Sequence, residues 1–236
     1  MSHPDADGRV ADAQRRAWVA AVLAQPPQVH AVDGEQNPRL GVFETDRSCY
    51  DFLIDHVAPG CRSLETGLGV STALFAALGA DHCCVVNLET QVVRLRAYCA
   101  EMQLPLDRVR FEVGCSDDVL PRLAVQPLDL LFIDGGHGFP IPAIDWHFGS
   151  KGLVRGGLLV LDDVTLPAVW SLRKVLDADP HWKRRVLNKK WAAYERLSTP
   201  DAVEDWWEQP WLPIPRVIRA QRLAARGLRG LRRRFG

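Results

Sequence analysis

No run of about 18 apolar residues occurs in this chain of 236, so no membrane-spanning helix is expected. Neither sign of charge dominates. Lys and Arg number 29, Asp and Glu also 29, so the overall charge does not mark a nucleic-acid binder. The opening stretch "MSHPDADGRVADAQRR" lacks an apolar signal core, which makes a cytoplasmic location the expectation. Lysine is scarce: five of the 29 basic residues, against 24 arginines. That bias is the mark of a GC-rich genome and carries no mechanism. The six cysteines, at 49, 61, 83, 84, 99 and 115, form no C-x-x-C, and none accompanies a histidine pair of the metal-binding kind. Cys83 and Cys84 are neighbours in an expected strand and point to opposite faces. Reduced, partly buried thiols are the reading. No internal repeat is visible.

What is present fits a soluble globular domain with appendages: 47% hydrophobic and 25% charged residues. From residue 61 the pattern alternates between two periods. Strands are expected at 61–66, 83–89, 108–114, 128–134 and 156–163. Helices are expected at 70–80, 91–104, 116–125, 141–153 and 165–179. Strands alternating with helices predict a parallel α/β sheet covered on both faces. The strands starting near 128 and 157 are almost wholly apolar, as doubly covered central strands should be. Residues 182–188 and 190–197 could add an antiparallel hairpin at the sheet edge. Before residue 60, helices are expected near 10–24 and 45–57.

Beyond residue 198 the composition changes. "DAVEDWWEQPWLP" is acidic and rich in Trp, and from Arg216 onward come eight Arg and no acid. Val217, Ile218, Ala224, Ala225, Leu228, Leu231 and Phe235 fall near one helical face, while Gly227 and Gly230 weaken that helix. The 216–236 tail reads either as a solvated arm or as a segment touching an anionic membrane or acidic partner. The nearby tryptophans would pack the tail on the domain or line a substrate lid.

In a parallel doubly wound sheet, ligands bind beyond the carboxyl ends of the strands. Five such ends carry polar or glycine-rich sequence: Glu65 to Ser71, Glu89, Gly114 to Asp117, Asp134 to His137, and Asp162 with Asp163. In "ETGLGVST", Gly67 and Gly69 let backbone approach a ligand, and Ser71 and Thr72 sit where a helix N-terminus favours a carboxylate. A dinucleotide fingerprint wants glycine where Thr72 stands, which disfavours a nicotinamide cofactor. Glu89 lies 24 residues past Glu65, a spacing that suits an acceptor for ribose hydroxyls. Each stretch also has a plain structural reading: a tight turn, a surface glutamate, and a helix cap at Asp162-Asp163.

Taken in order, "SLETGLGVST", "VVNLET", "VGCSDDVLPRL", "LDLLFIDGGH" and "GGLLVLDDV" resemble the signature segments of class I S-adenosylmethionine-dependent methyltransferases. They are most similar to the catechol O-methyltransferase-like group and its bacterial relatives acting on sugars and natural products. The resemblance runs from about residue 45 to 165. It implies a Rossmann-like methyltransferase fold with a mostly parallel seven-stranded sheet ending in an antiparallel hairpin. It implies a domain at 61–198, an N-terminal helical segment at 1–60 packing on it, and an extension at 199–236. S-adenosylmethionine would be held by Glu65 beside its amino group, usually through backbone or water, by Gly67 and Gly69 packed against it, and by Ser71 on its carboxylate. Glu89 would hold its ribose, and Cys115, Ser116 and Asp117 its adenine. Asp134, Asp162 and Asp163 would bind Mg²⁺, whose hard-oxygen preference suits them. His137 stands where the catechol enzymes carry a lysine base, and would take the proton of the acceptor hydroxyl. Asp163 stands where an amide is usual. Both departures are closer to the sugar-hydroxyl enzymes.

The implied partner is a small molecule with a hydroxyl; a homo-oligomer is left open. Two other functions compete. A hydroxylase-like member of the fold would need a redox metal, and the acidic cluster holds no 2-His-1-carboxylate set. A non-catalytic S-adenosylmethionine-binding scaffold is opposed by the presence of Asp134, His137, Asp162 and Asp163.

Overall fold

The computed structural model describes residues 4–31, 41–124, 126–198, 209–211, 215–218 and 220–224. Strands β1 (Arg62–Thr66), β2 (Asp81–Val86), β3 (Val109–Val113), β4 (Leu128–Ile133) and β5 (Leu153–Leu161) run parallel. Strands β6 (Trp182–Leu187) and β7 (Ala192–Arg196) form the antiparallel hairpin, with β7 paired to β5. The seven strands lie in the order β3-β2-β1-β4-β5-β7-β6, the doubly wound arrangement expected. The order reverses at β1, between β2 and β4, and a crevice opens at such a switch point.

The alternation along β4 shows why the sheet is covered twice. Leu130 and Phe132 pack into one core with helices α2 (Arg47–His56), α3 (Val70–Leu78) and α4 (Glu89–Glu101). Leu131 and Ile133 face the other core, with α7 (Pro167–Ala178). All nine residues of α3 are buried, because α1 (Pro4–Ala24) and α2 pack over it while the sheet lies below. That is why its sequence, VSTALFAAL, has no polar face. Gly79 then ends the helix in the left-handed conformation. All six cysteines are free, and among the described residues no helix is long and apolar enough to cross a membrane.

Four elements differ most from expectation. Strand β2 spans 81–86 rather than 83–89. It begins on polar residues because His82 is buried against Glu65 and stacked on Phe75. It ends early because Leu88, apolar but exposed, already caps α4. The helix expected at 116–125 is only α5 (Ser116–Val119) followed by one 3₁₀ turn, as Pro121 supplies no amide for a longer helix. The helix expected at 141–153 is α6 (Ile141–Gly149), followed by one 3₁₀ turn. Strand β5 starts at Leu153, earlier than its apolar run, and bends at Gly156.

The segment before β1 is tied to both ends of the sheet's open edge. Arg94 and Tyr98 of α4 donate to the carbonyls of Val29, Ala31 and Gln25. On the far side, Trp191 Nε1 donates to Ser48 Oγ of α2 at 2.9 Å, and its ring packs on Phe52. Of the C-terminal extension, residues 216–218 and 220–224 are helical, while Trp206, Trp207 and 225–236 lie outside the described residues. Replacing buried Trp191 by Ala should lower stability by about 3–5 kcal/mol in urea unfolding. A loss under about 1 kcal/mol would show that the seam between α2 and the hairpin unfolds apart from the core.

Candidate active site

The carboxyl ends of β1 to β5 open onto one cavity of about 880 Å³, within the roughly 300–1,000 Å³ usual for small-molecule sites. Its wall comes from Thr66 to Gly69, Val85 to Asn87, Gly114 to Asp117, Asp134 to His137, and Asp162 with Asp163. His30, Val42, Phe43 and Glu44 from the N-terminal segment, Gln91, Ile141 and Lys190 complete it.

Gly67 and Gly69 are glycines for different reasons. At Gly67 φ is +101°, and a Cβ would stand 2.2 Å from the carbonyl oxygen of Asp134. The loops after β1 and β4 therefore meet backbone to backbone, and no side chain fits between them. At Gly69 a Cβ would meet nothing within 4 Å. That is open cavity wall, where a ligand can approach the chain.

Glu65 and Ser71, expected on the cofactor, are not on the wall. Glu65 is wholly buried and accepts hydrogen bonds from Ser71 Oγ and, at 2.6 Å, from Thr72 Oγ1. His82 Nε2 stands 3.2 Å away, and its Nδ1 pairs with Ser63 Oγ at 2.9 Å. Ser63 and Glu65 alternate onto the α3 side of β1, so the sheet carries a satisfied polar network beneath the helix. Glu65, His82 and Cys84 also bring donor atoms within 4.8 Å of one another. Glu65 and His82 are engaged in the network just described, and Cys84 Sγ donates to the Gly67 carbonyl at 3.0 Å. Glu65 and Ser71 thus brace the loop from behind.

Glu89, expected to hold the ribose, likewise stands apart from the wall. It is exposed in the first turn of α4 and off the cavity wall, because β2 ends three residues before it. The wall position at the end of β2 belongs to Asn87, with Gln91 one helical turn on. Gln91 pairs with His30 Nδ1 at 3.0 Å, and burial lowers the pKa of that imidazole. The adenine candidates Cys115, Ser116 and Asp117 do line the cavity. Beneath them lies Asp145 of α6, fully buried; burial pushes its carboxyl up, against the pull of the Ser116 and Thr66 hydroxyls.

At the other end, Asp134, His137 and Asp163 each place a donor atom within 4.8 Å of the others. His137 Nε2 is 3.6 Å from Asp163 Oδ2, and its Nδ1 has no partner. Asp163 has φ +51°, a left-handed conformation that Asp tolerates better than most residues. Asp134 touches the cavity yet lies deep among protein atoms. Burial first, then the acids Asp162, Glu65 and Asp163, holds its carboxyl well above the usual range. Asp162 is turned elsewhere: one oxygen accepts from Thr45 Oγ1, and the other is 3.3 Å from Lys190 Nζ. The same ammonium is 2.6 Å from Asp163 Oδ1. Sequence reasoning missed Thr45, Asn87, Asp145 and Lys190. Only Asn87, directly after an apolar strand, left a readable signal.

Comparison with known proteins agrees with this geometry. A methyltransferase domain model matches residues 64–164. The catechol O-methyltransferase of Mycobacterium tuberculosis is 31% identical over 173 residues, covering 72% of this chain and 74% of that protein. An O-methyltransferase of Streptomyces achromogenes involved in tomaymycin synthesis, solved with S-adenosylmethionine, has a TM-score of 0.55 at 16% identity and covers 79% of this chain and 98% of its own. A Podospora anserina methyltransferase bound to S-adenosylhomocysteine has a TM-score of 0.55 at 14% identity, covering 84% of this chain and 98% of its own. The chain belongs to the class I S-adenosylmethionine-dependent methyltransferases, in their O-methyltransferase group.

The parts played by Asn87 and Glu89 can be measured. By calorimetry, Asn87→Ala should weaken S-adenosylmethionine binding by about 2- to 13-fold, the loss of one neutral hydrogen bond. Glu89→Ala should leave it within about twofold; a larger loss for Glu89 than for Asn87 would restore the acid to the ribose site. Asp134 gives a pH signature. A carboxyl whose pKa is raised by folding contributes stability below its unfolded value, near 4, and loses it as pH rises through the folded value. The Asp134→Asn variant should therefore gain melting temperature over wild type at pH 7 but little at pH 4. A pH-independent difference would mean that Asp134 ionises freely.

Proposed function

We propose that the protein transfers the methyl group of S-adenosylmethionine to a hydroxyl of a small molecule, with His137 as the base. The carrying observation is the pairing of His137 with Asp163 on the cavity wall, at the end opposite the adenine candidates. S-adenosylmethionine supplies an activated methyl on a sulfonium. The residues then have two tasks, alignment and proton removal. The acceptor oxygen forms a bond to the methyl carbon as the carbon–sulfur bond breaks, and its proton passes to His137. Asp163 stands beside the ring that receives the proton, 3.6 Å from its Nε2. Gly135 and Gly136 let the loop pack closely: a Cβ would stand 3.3 Å from Gly67 N at the first and 3.2 Å from Ile141 Cγ2 at the second.

Mg²⁺ on Asp134, Asp162 and Asp163 does not fit this arrangement. Mg²⁺ asks for near-octahedral oxygen ligands. Both oxygens of Asp162 are engaged by Thr45 and Lys190, and an ammonium stands against both Asp162 and Asp163. The cluster left over, Asp134, His137 and Asp163, includes a nitrogen donor. No step above uses a metal.

For the acceptor, the rim favours a natural product with an apolar body over a bare sugar. Phe43 on the wall and Phe139, two residues past His137, are 68% and 83% exposed. Such rings are available to stack on a flat ligand face. A panel of phenolic and aliphatic alcohols should identify acceptors by release of S-adenosylhomocysteine. His137→Ala should then reduce turnover by about 10²–10⁴-fold, with S-adenosylmethionine affinity nearly intact. Wild-type turnover by this variant across pH 6–9 would remove His137 from the chemistry.

A further inference from the structure

We infer that the Lys190 ammonium is the resident cation of the acceptor end of the cavity, standing where the family resemblance places a divalent metal, so that methyl transfer here proceeds without one. The inference rests on the O-methyltransferase reading for the reaction, and on Lys190 alone for the cation.

Lys190 comes from the turn joining β6 to β7, far in sequence from every motif. The turn is built to deliver it. Asn188 Oδ1 accepts from the amides of Lys190 and Trp191 at 2.9 and 2.8 Å. The Lys190 carbonyl in turn accepts from Val164 N at 2.9 Å, directly after the two acids that end β5. Backbone pairing thus fixes Lys190 beside Asp162 and Asp163, and its Nζ reaches both. Asp162 is almost wholly buried, and a buried carboxylate needs a counter-charge. Its neighbour Lys189 carries the same charge but is exposed, so turn geometry rather than composition selects Lys190.

The ammonium also lines the cavity, about one-third exposed, with donors to spare after two carboxylates. From there it can donate to an acceptor oxygen. A positive charge at that point favours the ionised oxygen as its proton leaves for His137, the effect otherwise asked of a metal. Charge and atoms balance with no further reactant: the sulfonium becomes a neutral thioether, the acceptor becomes an ether, and the proton rests on His137.

The test needs no acceptor to begin. Mn²⁺ is titrated into wild type, Lys190→Met and Lys190→Arg, followed by electron paramagnetic resonance and by thermal unfolding. Removing the ammonium leaves Asp162 and Asp163 without it, so Lys190→Met should bind Mn²⁺ at least ~10-fold more tightly than wild type. Its melting temperature, lowered by the substitution, should rise with Mn²⁺. Wild type and Lys190→Arg, which keep the charge, should respond weakly. Wild-type binding as tight as that of Lys190→Met would overturn the inference, as would weak binding by all three. If Lys190→Met does not fold, Lys190→Gln takes its place under the same criteria. With an acceptor in hand, wild-type turnover should persist in excess chelator; its loss would equally sink the idea. Calorimetry of S-adenosylmethionine on the same proteins separates the two readings. Failure to bind it refutes the methyltransferase reading, while the Mn²⁺ comparison still reports on Lys190.

Discussion

The site depends on one close approach: the backbone of Gly67 lies against the carbonyl of Asp134, where a single added carbon would stand 2.2 Å from oxygen. This contact joins the glycine loop after β1 to the loop that carries His137. Both loops follow adjacent parallel strands, β1 and β4, so the register between those strands sets the spacing of the two loops. Rigid strands position this part of the cavity better than loops could alone. The buried bonds of Glu65 to Ser71 and Thr72 hold the same turn from below. The glycine loop is thus clamped on one side by a neighbouring loop and on the other by a polar network under α3.

What the sequence made legible follows from how each signal arises. Strands β4 and β5 were readable because both faces are buried, so nearly every residue in their apolar runs is apolar. The glycine loop after β1 was readable because backbone crowding leaves glycine as the residue that fits at position 67. The limit of β2 was misread because Leu88 is apolar yet exposed, so Asn87, the wall residue at that strand end, went unnoticed. The bond of Ser71 to Glu65 was not legible. A hydroxyl at a helix N-terminus looks the same in sequence whether it faces a ligand or a buried carboxylate. Lys190 had no local signal, since only the pairing of β7 with β5 brings it to the acids.

The two ends of the cavity differ in how they manage charge. The end next to Asn87 and Gln91 presents neutral side chains among its groups. The other end concentrates three carboxylates, one imidazole and one ammonium around a small volume. Burial, and then the neighbouring acids, raises Asp134 toward its neutral form, while the Lys190 ammonium stands against Asp162 and Asp163. Within one short stretch of wall the site therefore sets a carboxyl crowded by acids beside two that face a cation.

The antiparallel hairpin has a temporal consequence. A ribosome delivers the chain from its N-terminus, and domains tend to fold as their segments emerge. The glycine loop and the wall at Gly114 to Asp117 are encoded before the loop that carries His137. Lys190 lies on the turn before β7, the strand that must slot between β5 and β6. The nascent protein can assemble the glycine-loop half of the cavity first, while the buried Asp162 waits without its cation until the last strand arrives. The acidic end of the cavity is thus completed last, in the same event that completes the sheet.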